Sequence, residues 1–205
     1  MPHWTVPPEW RGEAAFVIVG GPSALTEPIE RLEGRHVIAV NSSYERAPWA
    51  PVVYFSDARW YNWHAARLKQ LPARLVTTSA AVHGERLHRL ARVSPPPGLQ
   101  TSPRALAVRH TSTTGAINLA WHLGADPIVV VGLDLYTAGK VTHHHTPHRF
   151  PTTPAAWLKH LGDLEHQAKA LAAVGAQVFV TNPASRAVPL FAHRPLVEFI
   201  TELPL

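Results

Sequence analysis

The histidines are the residues of this chain best suited to chemistry. His143, His144, His145 and His148 crowd one short stretch, and His160 follows twelve residues later. An imidazole can move a proton near neutral pH, bind phosphate when charged, or ligate a metal. Consecutive histidines in an extended segment point to opposite sides, so His143 and His145 can converge where His144 cannot. Asp134 could add an oxygen ligand. A run on a loop is not a specific metal site, however, and no H-E-x-x-H is present, so no metal is expected. Phosphate binding by protonated imidazoles, or plain exposure to water, suits this run better. Asp134 and Tyr136 themselves stand just beyond an apolar run. A carboxylate there either meets a ligand or ties down a loop. A phenol can donate to a phosphate oxygen without adding charge.

These residues need a frame, and TSTTGAINLAWHLGADPIVVVGLDLY (111–136) supplies its centre. Thr113 or Thr114 can cap a helix whose Ala116, Ile117, Ala120 and Leu123 recur at helical spacing, and Gly124 ends it. Residues 127–132 are then an apolar, β-branched run, as in a strand of a parallel sheet buried on both faces. Similar runs occur at 14–20, 35–40, 52–55 and 177–180, with a shorter one at 75–78. The first three deliver Gly20-Gly21-Pro22-Ser23, Asn41-Ser42-Ser43 and Ser56-Asp57 at their carboxyl ends. That is where an open α/β sheet builds its ligand crevice. Ser23 can cap a helix after the first strand. Asp57 can cap the helix over 57–71, and residues 85–93 fit a helical turn. The longest helix is expected over 154–174, with Trp157, Leu161, Leu164, Ala168 and Leu171 as its apolar stripe. Residues 137–154 lack a period and fit a lid. The expected fold is one Rossmann-like α/β domain spanning 1–205, with a mostly parallel sheet, helices on both faces and a histidine-rich lid.

Composition narrows the classes. Hydrophobic residues make up 46% of 205 positions, which suits a globular core, and no apolar run approaches membrane-spanning length. The start, MPHWTVPPEWRGE, does not resemble a signal peptide, so a cytoplasmic location is the default. The absence of cysteine excludes disulfides and thiolate chemistry. Net charge is +5. Over 86–162 the only acidic residues are Asp126 and Asp134, whereas Arg86, Arg89, Arg92, Arg104, Arg109, Lys140, Arg149 and Lys159 are basic. Arg86, Arg89 and Arg92 fall three apart and would share one side of a helix. Such a surface suits a polyanion.

IVGGPSA, VIAVNSS, the 111–136 stretch and GAQVFVTNPAS together resemble, in order, the bacterial sialyltransferases of glycosyltransferase family 42. They are also similar to related archaeal Rossmann-type pterin diphosphokinase-like proteins, and VNSSYERAPWAPVVYFSDARW resembles small phage proteins. The family resemblance implies that Gly20, Gly21 and Ser23 line a nucleotide site and that Asn41, with Ser42 beside it, reaches the phosphate. It implies that Thr114 and Gly115, after Thr113, hold the nucleoside, and that Tyr136 bonds the leaving phosphate. It also implies metal-independent chemistry with a histidine base, which falls on His160, with His166 as second choice. The family's lid carries a second tyrosine; this chain has none after Tyr136.

Three functions follow. The first is a glycosyltransferase whose co-substrate is a nucleotide sugar, with His160, Tyr136 and Asp134 catalytic and the lid histidines closing over the donor. Its acceptor would be a saccharide or small molecule, or a hydroxymethylated base flipped out of phage DNA. In that case the host cytoplasm is its place. The second is a diphosphokinase whose Mg²⁺ would need Asp57 and Asp134. The third is a nucleotide- or nucleic-acid-binding module without chemistry, motivated by the missing lid tyrosine. Oligomeric state stays open.

Overall fold

The computed structural model describes residues 3–93, 98–138, 141–145 and 153–203. Its centre is an eight-stranded sheet in which every pairing is parallel. The strands are β1 (Ala15–Ile18), β2 (His36–Val40), β3 (Val52–Phe55), β4 (Arg74–Thr77), β5 (Leu87–Arg89), β8 (Ile128–Val131), β9 (Val178–Val180) and β10 (Ala192–His193). Two more, β6 (Ala91–Val93) and β7 (Ala105–Ala107), pair in a separate parallel ribbon. The order across the main sheet is β10-β9-β8-β1-β2-β3-β4-β5. The chain winds outward from β1 to β5, crosses back, and winds the other way from β8. The reversal falls between β1 and β8, and crevices form at such switch points.

Both faces of the sheet are covered, so the central strands read as unbroken apolar runs. Ala15, Val17 and Val19 face a core shared with α2 (Ser112–His122) and α3 (Pro154–Ala173). Phe16 and Ile18 face the other core, shared with α1 (Ala58–Leu68) and α4 (Leu196–Glu202). The 3–13 segment runs along the surface, with Val6 and Trp10 buried and Trp4 N–H donating to Arg89 C=O at 2.7 Å.

Asp57 caps α1 as expected, accepting from Arg59 N–H at 2.7 Å. Four expectations differ. Residues 87–89 and 91–93 form β5 and β6 rather than a helical turn, because Leu87 and Leu90 are drawn into opposite cores of the sheet. Arg86, Arg89 and Arg92 therefore share no helix side. Ser23 caps no helix: it lies inside a 3-10 turn, Pro22–Leu25, that starts from Gly21. The cap of α2 is Thr111, whose Oγ1 accepts from Thr113 N–H, rather than Thr113 or Thr114. Beyond β9, the sheet gains the short β10 that the pattern did not announce.

Candidate active site

A cleft of about 600 Å³ opens over the carboxyl ends of β1, β2, β3 and β8. Its floor is Gly20, Gly21, Asn41, Ser56, Asp57 and the segment from Gly132 to Tyr136. One wall is His110 to Thr113, leading into the N-terminus of α2. His160 stands beside that wall, bonded to the His110 backbone, and His143, His145 and Trp157 complete the lining.

The floor is tied together by Asp134, which is 1% exposed. Its Oδ2 accepts from Ser23 N–H at 2.7 Å and its Oδ1 from Asn182 Nδ2 at 2.7 Å. The turn after β1 and the segment after β9 are thereby fixed to the end of β8. Gly21 packs so closely here that an added Cβ would lie 2.2 Å from Gly132 O and 2.5 Å from Asp134 Oδ2. Glycine is needed because the backbone itself occupies the space. Two non-glycine residues of the floor, Asn41 and Leu135, have φ of 50° and 60°. Left-handed backbone of this kind concentrates at functional sites.

Asn182 Nδ2 also donates to Tyr136 Oη at 3.0 Å. The phenol oxygen is thus the acceptor of that bond, and its own proton remains to be donated into the cleft. At the opposite wall, Ser56 and Ser112 hydroxyls bond each other at 2.7 Å, bringing the end of β3 to the start of α2. The first N–H groups of α2 have no partner within the helix and favour an anion.

The described part of the lid lies on Gly20. His144 N–H donates to Gly20 C=O at 3.0 Å, and His144 Nε2 is 3.2 Å from Ser43 Oγ. His143 and His145 converge on the cleft with ring centroids 5.0 Å apart, while His144 points down between them. Burial, aided by His145 and Arg46, depresses the pKa of His144 to about 4. His148 lies outside the described residues. Among the described residues, no three histidine, aspartate or glutamate side chains gather as a metal site would require.

His160 is half-buried on α3 and faces the cleft. Burial lowers its pKa; Asp163 and a hydrogen bond to the His110 backbone oppose this, and the His110 ring reinforces it. The neutral imidazole, a competent proton acceptor, is the form favoured at pH 7. His166 is exposed and does not line the cleft.

Several expected residues sit elsewhere. Ser42 is buried and accepts from Trp60 Nε1 at 2.9 Å. Thr114 is buried beneath the α2 terminus, its C=O accepting from Gln167 Nε2 at 2.7 Å. Gly115 packs on Tyr54, whose hydroxyl would lie 2.2 Å from an added Cβ. Neither holds the cleft surface, although Thr113 does. Of the five arginines, Arg92 and Arg109 line the cleft. Arg86 instead donates to the carbonyls of Lys69, Leu71 and Ala73 beyond the end of α1. Arg89 pairs with His83, and Arg104 with the carbonyl of His3.

Sequence reasoning missed the wall formed by His110 and Asp163. Asp163 is 5% exposed; it accepts from His110 N–H at 2.8 Å, and both its oxygens lie 3.2 Å from His110 Nδ1. A signal was present: His160, Asp163 and Gln167 recur at helical spacing inside an otherwise apolar stripe.

No family model matches the chain, and neither does any curated protein. Among solved structures, the MAf glycosyltransferase of Magnetospirillum magneticum AMB-1 superposes over all of this chain, with a TM-score of 0.67 at 15% identity. The α-2,3-sialyltransferase Cst-I of Campylobacter jejuni superposes over 89% of this chain and 80% of its own, with a TM-score of 0.58 at 14% identity. The fold is that of the sialyltransferase-like glycosyltransferases. A further structure with this fold, the sialyltransferase Cst-II solved with a trisaccharide acceptor and CMP, gives 0.54 at 13% identity over 89% of this chain and 86% of its own. The chain spans 37% of the MAf protein. In the sialyltransferase-like fold, the cleft described here lies at the switch point, where the doubly wound sheet leaves room for a ligand.

Proposed function

We propose that the chain is a glycosyltransferase that moves a sugar from a nucleotide-activated donor to a hydroxyl acceptor. The observation that carries this reading is the pairing, in one cleft, of a helix N-terminus with a half-buried histidine held toward its neutral form. The donor phosphate sits against the α2 terminus and the tight Gly20-Gly21 turn. His160 takes the acceptor hydroxyl proton as that oxygen bonds the anomeric carbon. The bond from carbon to phosphate oxygen breaks, and the phosphate leaves with the electron pair. Tyr136 donates its phenol proton as a hydrogen bond to the departing phosphate. Asp134, with both oxygens engaged, holds the floor.

The diphosphokinase alternative fits less well. Asp134 is occupied by Ser23 and Asn182, and Asp57 by the backbone and guanidinium of Arg59. We propose that transfer needs no metal, so turnover unaffected by EDTA is the expected result, and abolition by EDTA would reverse the preference. Two observations lower the DNA reading: residues 85–93 form strands, and only Arg92 and Arg109 of the five arginines reach the cleft. A saccharide or small-molecule acceptor is favoured.

Isothermal titration with nucleoside mono- and diphosphates, CMP among them, tests the donor site. Saturable binding of one of them is expected. Folded protein that binds none would reject the proposal and favour a module of another kind.

A further inference from the structure

We infer that His110, aligned by the buried carboxylate of Asp163, is a second catalytic residue, which protonates the departing phosphate beside His160. The inference rests on the glycosyl-transfer reading above and assigns it a general acid.

His110 immediately precedes Thr111, the cap of α2, so it stands beside the N–H groups that would receive the donor phosphate. Asp163 takes both the backbone N–H and Nδ1 of His110. With Nδ1 turned to the carboxylate, the ring presents Nε2 away from α3. About a third of the side chain is exposed, against 6% for Asp163. A carboxylate this buried requires partners, and the backbone N–H and ring Nδ1 of His110 are the ones in place to serve. The Nδ1 contact orients the ring, as a carboxylate does in other histidine sites.

The two histidines stand side by side in different surroundings, His160 bonded to the His110 backbone and His110 held by Asp163. Burial is the largest influence on His160 and disfavours its charge; Asp163 and the His110 backbone act in the opposite sense, and the His110 ring adds to the burial effect. Two imidazoles in such different surroundings divide the acid and base roles. His160 accepts the hydroxyl proton while the new carbon–oxygen bond forms. As the bond to phosphate breaks, its electron pair goes to the phosphate oxygen, and His110 Nε2 supplies a proton to that oxygen. The step leaves His160 charged and His110 neutral, with no change in the number of protons, and exchange with water restores both. Asp163 touches no reacting atom; it is a positioning residue.

The experiment uses the full chain, first titrating it with CMP and the other nucleotides, then following turnover of the corresponding nucleotide sugar. His110→Gln is expected to lower kcat about 100-fold, within the range for loss of one acid–base group, with donor KM nearly unchanged. It should also remove the alkaline fall of the kcat profile, whereas His160→Gln removes the acidic fall. Asp163→Asn should reproduce the lost alkaline limb, and Asp163→Glu should partly restore it; a purely structural carboxylate would lower the folded fraction without moving that limb. In ¹⁵N-histidine spectra, the protected Nδ1 proton of His110 should vanish in Asp163→Asn. Folded His110→Gln with kcat and pH profile unchanged would overturn the inference while leaving the glycosyltransferase reading standing. A wild-type protein that binds no nucleotide would overturn both.

Discussion

Asp134 shows how one side chain can be read correctly by position and differently by role. Its place after a buried strand marked it for the site, and it is there, but its two oxygens are already taken by Ser23 N–H and Asn182 Nδ2. Asp134→Ala would leave Ser23 N–H without its acceptor and Asn182 Nδ2 with only Tyr136 Oη. The expected loss is about 3 kcal/mol, from the cost of buried unpaired donors, read in urea unfolding, together with loss of nucleotide binding. Unchanged stability would show that the floor relaxes. Gly21→Ala makes the complementary case: the new methyl meets backbone at Gly132, which cannot rotate aside. A cost of about 1–3 kcal/mol is expected in the same assay, the usual range for overpacking. The loop-tying role was one of the two the sequence left open for Asp134, but its partners were not legible, since they lie 111 and 48 residues away.

At the scale of elements, α2 and the lid each carry a test. Asn118 of α2 is fully buried; its Oδ1 accepts from Gln100 N–H at 2.9 Å and Ala107 N–H at 3.1 Å, and its Nδ2 donates to Gln100 C=O at 3.0 Å. One amide thus holds the segment that leads into β7 against the helix. Asn118→Ala should cost about 3 kcal/mol in chemical denaturation, since three backbone groups lose their partner. The lid should respond to pH through His144. Its ring titrates near 4 when seated, against 6.5 when released. The released form therefore binds the proton first, so closure is fully stable above about 6.5 and weakens as pH falls toward 4. Hydrogen exchange at the His144 amide should accelerate over that window, and His144→Asn should flatten the dependence. Exchange independent of pH, after correction for intrinsic rates, would contradict this account. The short strands β5 and β6 explain a failure of pattern at this scale. Three arginines three apart mimic a helix face, yet strands of three residues carry too little alternation to declare themselves.

For the whole molecule, three of the five arginines that suggested an anion surface, Arg86, Arg89 and Arg104, are held by protein partners outside the cleft. Arg86 neutralises carbonyls beyond α1, so Arg86→Ala should lower the melting temperature and leave nucleotide affinity and its salt dependence unchanged. A flattened salt slope would restore the polyanion reading. The sheet and its helices were legible because a parallel core demands long apolar runs, and strand ends expose small polar residues. Gly20, Asn41 and Tyr136 were found by that logic, His160 by the family resemblance, and all four share the cleft. His110 and Asp163 were not, since one sits in a connector and the other in an apolar stripe, and only tertiary packing joins them.

The strand order also dictates when the cleft can exist. β1 acquires one neighbour early, with Ala15 opposite His36, but its other edge waits for β8, where Ala15 meets Ile128. During synthesis the nascent chain therefore carries a fully apolar strand with one bare edge until more than half of the residues have emerged. Pairings of such separation form slowly, and an uncovered edge of this kind invites intermolecular association. Assembly of the cleft and protection of the chain from aggregation become the same late event.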